Sequence, residues 1–369
     1  MRVAINALLL SGRFSGVEKA IWELLRHVGE GTQDEFVAFV GRDFDERALN
    51  GVRIGIHRLP VSNRSRLVRI LYEERFLRRR AEGFDLFHAP GYVAPRRLPC
   101  PLVLTIYDLV ALSHPELARR SNVFHYRWRL PRSARAAARV IVPTECVARE
   151  VVERLGVPRD RLRVVPLGVD SQMRSPSLEA RARVRARHHL SRPFVLFVGN
   201  IEPKKDLPTL LRAFALLKKE ALPHELVIAG KRGWKCRPVL RLPAELGIEG
   251  DVRFLGYVEE DDLAGLYGGC ELFVFPSLAE GFGLPPLEAM ACGAPVVTSD
   301  AEALVETTGD AAEHVPARDP EALAEAMRRV LSDPALRERM RAAGLERAAQ
   351  FTWERTASAT REVYHNAHG

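Results

Sequence analysis

Two carboxylates eight residues apart, Glu280 and Glu288, bracket the run Gly281-Phe282-Gly283-Leu284-Pro285-Pro286-Leu287, and the run between them is suited to holding an anion. The apolar stretch 272–275 just before it reads as a buried parallel strand. Pro285 and Pro286 fit the first positions of a helix running to about Cys292, because their fixed φ suits that place and their missing N–H groups are not needed there. Gly281 and Gly283 let the backbone come close to a ligand. A helix N-terminus, with free amides and the positive end of the dipole, attracts phosphate or carboxylate. On spacing alone, ordinary roles stay open: Glu288 near the third helical position fits half of a capping box, and Glu280 fits a solvated loop acid.

Other residues capable of chemistry fall where apolar runs end. After 194–198, Gly199 leads into Lys204 and Lys205, two point charges suited to a diphosphate or to an ordinary surface. After 226–229, Gly230 precedes Lys231, and after 252–255 come Tyr257 and Val258. Near the start, Ser11-Gly-Arg-Phe-Ser-Gly16 is a glycine loop that lacks the third glycine of the dinucleotide fingerprint. Tyr107 and Asp108 close the run 102–106, where an acid is placed to hold a sugar or acceptor hydroxyl, and His88 ends 86–88 as either a site residue or a satisfied strand-end histidine.

Positioning such loops takes strands and helices in alternation. Apolar runs at 3–5, 36–40, 86–88, 102–106, 140–142 and 164–165 alternate with helix-period segments, and the rhythm restarts at 194–198 and continues to 314–315. The chain's 369 residues exceed one comfortable core. The expectation is therefore an α/β protein of two doubly wound, Rossmann-like domains, 1–173 and 174–350, joined through the polar segment 170–177, with a terminal helical piece 351–369 returning toward the first.

Composition narrows the class. No apolar stretch approaches the length needed to span a bilayer, and the N-terminal residues run straight into a strand pattern, which predicts a soluble, cytoplasmic protein. Five singly placed cysteines have no metal or redox spacing and read as reduced core residues. The formal charge is +8. Residues 61–140 hold sixteen Arg against six acids, a net of +10 in that segment alone. Such a patch suits nucleic acid, anionic headgroups or an acidic substrate, and also suits plain solvated helix. Within it, Leu67, Ile70, Leu71 and Leu77 share a helical stripe flanked by arginines, a pattern for a membrane surface or for a helix packed on its own domain. Aromatics are only 7% of residues, too few for the stacking rows of a single-strand binder, so nucleic acid is not expected as a partner.

The stretch 280–293, with its acid, Gly-Phe-Gly-Leu-Pro, second acid and Ala-Met-Ala-Cys-Gly, resembles the EX7E motif of family 4 retaining glycosyltransferases. The resemblance extends along most of the chain and is strongest in the second half. It implies the GT-B fold, with a donor cleft between two facing domains. It implies that Glu280 lies near the sugar of a nucleotide diphosphate donor, that Glu288 holds the ribose and that the amides of Phe282, Gly283 and Leu284 meet the diphosphate. By the same resemblance Lys205, with Lys204, contacts the donor phosphates, the Gly199 and Gly230–Lys231 loops line the donor, and Tyr257 and Val258 hold the base through backbone groups. Glu306, in a segment similar to the family's Leu-Pro-Glu-x-x-Gly-Asp-Ala-Ala, faces the donor, and the amides near Gly16 close over its phosphates. On the acceptor side the candidates are His88, Tyr107 and Asp108; Tyr107 stands where the family often has histidine. Overall similarity leans toward mannosyltransferases of polysaccharide or O-antigen assembly. The expected donor is GDP-mannose before a UDP- or dTDP-sugar, without metal or further cofactor, and the acceptor a glycan or polyprenyl-diphosphate-linked hydroxyl at the inner membrane face. Rival readings are a nucleotide-sugar 2-epimerase or a phosphorylase on the same fold, or a basic nucleic-acid or glycan binder without catalysis.

Overall fold

The computed structural model describes residues 1–10, 16–45, 49–62 and 65–368. The loop segment Ser11–Ser15, used above, lies outside the described residues. The chain divides into two units: residues 1–115, 120–168 and 352–369 form the first, and residues 116–119 and 169–351 the second.

The first unit is a seven-stranded parallel sheet with helices on its faces. Its strands are β1 (Arg2–Asn6), β2 (Glu35–Gly41), β3 (Gly55–Leu59), β4 (Leu86–Ala89), β5 (Leu102–Thr105), β6 (Arg139–Val142) and β7 (Leu162–Val164), in the order 3-2-1-4-5-6-7. Its helices are α1 (Gly16–His27), α2 (Arg66–Arg80), the single turn α3 (Val110–Ser113), α4 (Arg120–Ala136) and α5 (Glu145–Leu155), with α14 (Trp353–His368) contributed from the far end of the sequence. The sequence rhythm does not mark β3, because this edge strand is half exposed and carries His57 and Arg58 in place of an apolar run. The division after Gly168 falls five residues before the expected boundary, since Val169 already donates a backbone hydrogen bond to Phe351 at 3.0 Å in the second unit.

The second unit is a six-stranded parallel sheet: β8 (Phe194–Val198), β9 (Glu225–Ala229), β10 (Val252–Gly256), β11 (Leu272–Phe275), β12 (Val296–Ser299) and β13 (Glu313–Val315), in the order 10-9-8-11-12-13. Its helices are α6 (Leu178–Arg187), α7 (Leu207–Lys219), α8 (Arg237–Glu245), α9 (Glu260–Gly269), α10 (Leu284–Ala291), α11 (Glu302–Thr308), α12 (Pro320–Ser332) and α13 (Pro334–Ala348). The core strands FVLFV, ELVIA and LFVF are almost wholly buried, as expected of strands covered by helices on both faces. Both sheets reverse direction of winding once, between β1 and β4 and between β8 and β11. Beyond the carboxyl ends of strands at such a switch point, the loops diverge and leave room for a ligand.

The five cysteines are free, and only Cys270 and Cys292 are buried; Cys100, Cys146 and Cys236 are half-buried rather than core residues. Among the described residues no helix is long and apolar enough to cross a membrane.

Candidate active site

In the second unit the loops after β8 and β11 bring together residues some seventy-five positions apart. Pro203 opens a single helical turn, 203–205, that carries both lysines, and Asp206, in the left-handed conformation, ends it. Lys205 Nζ meets Glu280 Oε1 at 2.6 Å and lies 4.4 Å from the centroid of the Phe275 ring, while Lys204 Nζ stands 3.4 Å from Glu280 Oε2. Burial works against the Glu280 carboxylate, but Lys204 and Lys205 outweigh it and hold the carboxyl at about 2. Burial pushes the Lys205 ammonium below the usual lysine range, against the attraction of Glu280. Glu280 is thus a permanent anion at neutral pH and a poor proton acceptor, suited to positioning rather than to acid–base work.

Gly283, at φ 102°, turns the chain into α10, and a Cβ there would stand 2.6 Å from the Leu304 side chain of α11. Pro285 and Pro286 occupy the second and third positions of α10, so the donors left at its start are the amides around Gly283. Among the described residues no group accepts a hydrogen bond from the Phe282, Gly283 or Leu284 amide. Glu288 sits one turn into α10, two positions beyond the capping-box place, and is buried with Tyr267 of α9 donating to its Oε2 at 3.1 Å. The capping-box alternative is therefore replaced by a buried acid held from the neighbouring helix.

The loops after β9 and β10 adjoin. Gly230 lies at φ 152°, its N–H donates to the Gly256 carbonyl at 2.6 Å, and a Cβ on it would stand 1.9 Å from the Gly199 carbonyl oxygen. Only a glycine lets these two chain segments approach so closely. Lys231 Nζ lies 4.4 Å from the centroid of the half-exposed Tyr257 ring, and Val258 is buried behind it. Glu306 is half-buried on α11, its backbone carbonyl bound by Arg347 at 2.7 Å.

In the first unit, Asp108 follows β5 and accepts hydrogen bonds from the Tyr92 hydroxyl at 2.9 Å and the Val110 amide at 3.0 Å. Tyr107 packs edge-on and Tyr126 tilted against Tyr92, with ring centroids 5.7 and 5.1 Å away, and burial raises the Tyr107 hydroxyl above its usual range. Gly16 is the first residue of α1, with open space where a side chain would be. His88 is a correction. It is fully buried, its Nε2 pairing with Thr105 Oγ1 and its Nδ1 with the Tyr364 hydroxyl of α14, both at 2.8 Å, and burial pushes the imidazole down to about 3. With both nitrogens committed inside the unit, His88 fastens α14 to β4 and β5 and offers nothing to an acceptor.

The basic segment is a second correction. The stripe Leu67, Ile70, Leu71, Leu77 does not pack as one face: Leu77 is buried, whereas Leu67 and Leu71 are 75% and 69% exposed. The face that α2 turns inward is instead Arg66, Arg69, Glu73 and Leu77, at helical spacing. Glu73 is buried, Asn6 at the end of β1 donates to it at 3.4 Å, and Arg69 lies 3.7 Å away; burial raises its carboxyl above the usual range. On α4 the outward residues include Phe124 and Trp128, stacked on each other and 70% and 67% exposed. Its inward residues Asn122 and Tyr126 meet Arg66, and Arg129 pairs with Glu74 of α2. For half its length α2 is therefore inverted, charged toward the protein and apolar toward solvent.

Sequence reasoning missed Tyr267, Tyr92, Tyr126, Asn6 and Glu73. Asn6 carried a signal, since a polar side chain at the carboxyl end of the first strand stands at the switch point; the tyrosines and Glu73 lie in helices or loops whose facing neighbours no spacing rule supplies.

Comparison with known proteins places these features in a family. Residues 180–347 match the model described as glycosyl transferases group 1, and residues 14–173 that of glycosyltransferase family 4. The chain is 33% identical over 281 residues to O-antigen chain mannosyltransferase B of Escherichia coli, covering 76% of this chain and 74% of that one. It is likewise 33% identical over 315 residues to D-inositol 3-phosphate glycosyltransferase of Salinispora arenicola, covering 78% and 70%. In fold it is similar to sucrose-phosphate synthase of Thermosynechococcus elongatus, at a TM-score of 0.79 and 23% identity over 99% of this chain and 98% of that one. The chain belongs to the family 4 glycosyltransferases, with the GT-B fold. It is a glycosyltransferase, and it resembles the mannosyltransferases of O-antigen assembly.

Proposed function

We propose that the protein is a retaining, metal-independent hexosyltransferase that moves mannose from GDP-mannose to a hydroxyl of a glycan or polyprenyl-diphosphate-linked acceptor, with no further cofactor. The observation that carries this reading is the junction of Lys205, Lys204 and Glu280 beside the three uncommitted amides of Phe282, Gly283 and Leu284. Cations and oriented N–H groups in one buried place suit the oxyanion that grows on a departing nucleoside diphosphate. They would supply the charge stabilisation that a metal supplies elsewhere. In the proposed step the C1–O bond to the β-phosphate breaks, the acceptor oxygen bonds to C1 on the same face, and the acceptor proton passes to the leaving phosphate oxygen. Glu280, an anion with a carboxyl at about 2, takes no proton in this step and orients the sugar and the lysines. Glu288, fixed by Tyr267, is the group for the ribose hydroxyls.

Asp108, beside Tyr92, Tyr107 and Tyr126, is the reading for the acceptor hydroxyl in the first unit. The exposed Leu67, Leu71, Phe124 and Trp128 among arginines support peripheral contact with an anionic inner membrane face. The mannosyl relatives favour mannose, and the identity of the nucleotide is tested directly. Purified protein incubated with radiolabelled GDP-mannose, UDP-sugars and dTDP-sugars and a lipid-linked acceptor should label the acceptor from GDP-mannose; transfer from another donor alone removes the donor assignment, and an inverted anomeric product removes the retaining mechanism.

A further inference from the structure

We propose that Arg66, Arg69 and Arg129, gathered between α2 and α4 of the first unit, form a binding site for a phosphate or diphosphate group of the acceptor. The inference rests on the glycosyl-transfer reading and adds to it the residues of the first unit that hold the acceptor's phosphate. Three observations carry it. Like charges are brought together at a cost: all three guanidinium groups act on the His125 imidazole of α4, which burial and these arginines hold at about 4. Two of the arginines have buried donors without a hydrogen bond among the described residues: Arg69 Nε, which has only the Glu73 carboxylate at 3.7 Å, and Arg129 Nη1. The acids at hand do not balance the cluster. Glu74 binds Arg129 from another nitrogen, and Glu73 approaches Arg69 only to 3.7 Å, so two carboxylates face three guanidinium groups. A tetrahedral dianion, accepting through several oxygens at once, satisfies forked donors of this kind better than a single carboxylate does.

The location suits an acceptor. Arg66 lies 5.9 Å from the centroid of the Tyr126 ring, and Tyr126 in turn packs at a tilt against Tyr92, which donates to Asp108. Anion and acceptor-hydroxyl positions are therefore separated by two aromatic side chains. The outer faces of the same helices expose Leu67, Leu71, Phe124 and Trp128, so the phosphate has two chemical sources: a lipid-borne headgroup or diphosphate, and a free phosphorylated acceptor.

The test uses the full chain carrying Lys205→Ala, which disables the donor lysine, and inorganic pyrophosphate as the probe. Binding is read by calorimetry and by the titration of the His125 ring in histidine-labelled protein, assigned with His125→Asn. Pyrophosphate is expected to bind and to raise the pH at which His125 titrates. Arg69→Gln and Arg66→Gln should each weaken binding by about tenfold or more, while Arg78→Gln with Arg79→Gln, on the exposed end of α2, should leave it unchanged. Circular dichroism checks that each variant is folded, and Arg129→Lys serves if Arg69→Gln is not. Absence of pyrophosphate binding, or binding indifferent to both Arg66→Gln and Arg69→Gln, overturns the proposal. Vesicles of phosphatidylglycerol and of phosphatidylcholine separate the sources. Anionic-vesicle binding lost with Arg69→Gln assigns a lipid headgroup; vesicle binding kept while pyrophosphate binding is lost assigns the phosphate of the acceptor itself. Failure of the transferase reading looks different: no sugar transfer by the unsubstituted protein, with the pyrophosphate site intact.

Discussion

In the second unit, two lysines close on one glutamate, and the nearest pair stands at 2.6 Å; in the first, three arginines converge where two glutamates answer them only in part. The lysine group sits in the loops after β8 and β11, and the arginine group lies on α2 and α4, tied to the end of β1 through Glu73 and Asn6; the two sheets are wound in corresponding order. In the lysine site both cations close on one shared carboxylate and stand beside uncommitted amides, as suits a ligand whose charge grows during reaction. The arginine site keeps unmet donors, as suits a ligand that arrives already charged. One topology thus supports two solutions for anions, separated by whether the charge is made or brought.

That contrast is open to breaking in order of size. Lys205→Ala or Glu288→Ala should lower the rate of sugar transfer by about 10²- to 10³-fold, the scale of losing a charge-stabilising or substrate-fixing group; full transfer with normal donor affinity in either variant would sink the donor assignment. His88→Ala, in the first unit but outside its charged cluster, should cost about 2–4 kcal/mol of stability by chemical denaturation and leave donor affinity alone. The unfolded chain's ordinary imidazole, near 6.5, binds a proton that the buried one at about 3 refuses, so stability of the unsubstituted protein falls as pH drops from 6.5 toward 3. The variant should lose that part of the slope. Glu280→Gln should act lower on the pH scale. A carboxyl held at about 2 against an ordinary 4.5 stabilises the fold above 4.5 and loses that contribution as pH falls toward 2, so the variant should show a flatter acid limb in that window. The smallest effect is Leu71→Ser, expected to change stability by less than about 0.5 kcal/mol because the side chain is already in solvent. Its readout is weaker flotation with anionic vesicles; unchanged flotation removes Leu71 from the membrane-facing surface.

What the sequence made legible followed from local rules. Runs such as FVLFV and LFVF have one structural meaning when bounded by glycine and proline, and Pro285-Pro286 marked the start of α10 closely. The pairing of Lys205 with Glu280 was not legible, because it depends on which strands are neighbours, and β8 and β11 are adjacent only after two other strands have been wound to one side. α2 defeated its own pattern for a related reason. Spacing finds a stripe but not its direction, and an inward pair such as Glu73 with Asn6 draws the charged face under. Of the two readings open for His88 the structure takes the satisfied strand-end histidine, and spacing could not choose it because the partner Tyr364 is 276 residues away.

The return of α14 has a consequence for the order of events at synthesis. Apart from residues 116–119, the second unit is one continuous run, whereas the first is completed only by residues 352–369. Tyr364 and Val363 belong to the core formed by β1, α1 and β2, and Tyr364 supplies half of the partners of His88. A ribosome therefore delivers the strands of the first unit early but withholds part of their core until the whole of the second unit has been made. The half of the protein that is translated first is the half that finishes last, and until then a buried histidine and an apolar sheet face stand uncovered.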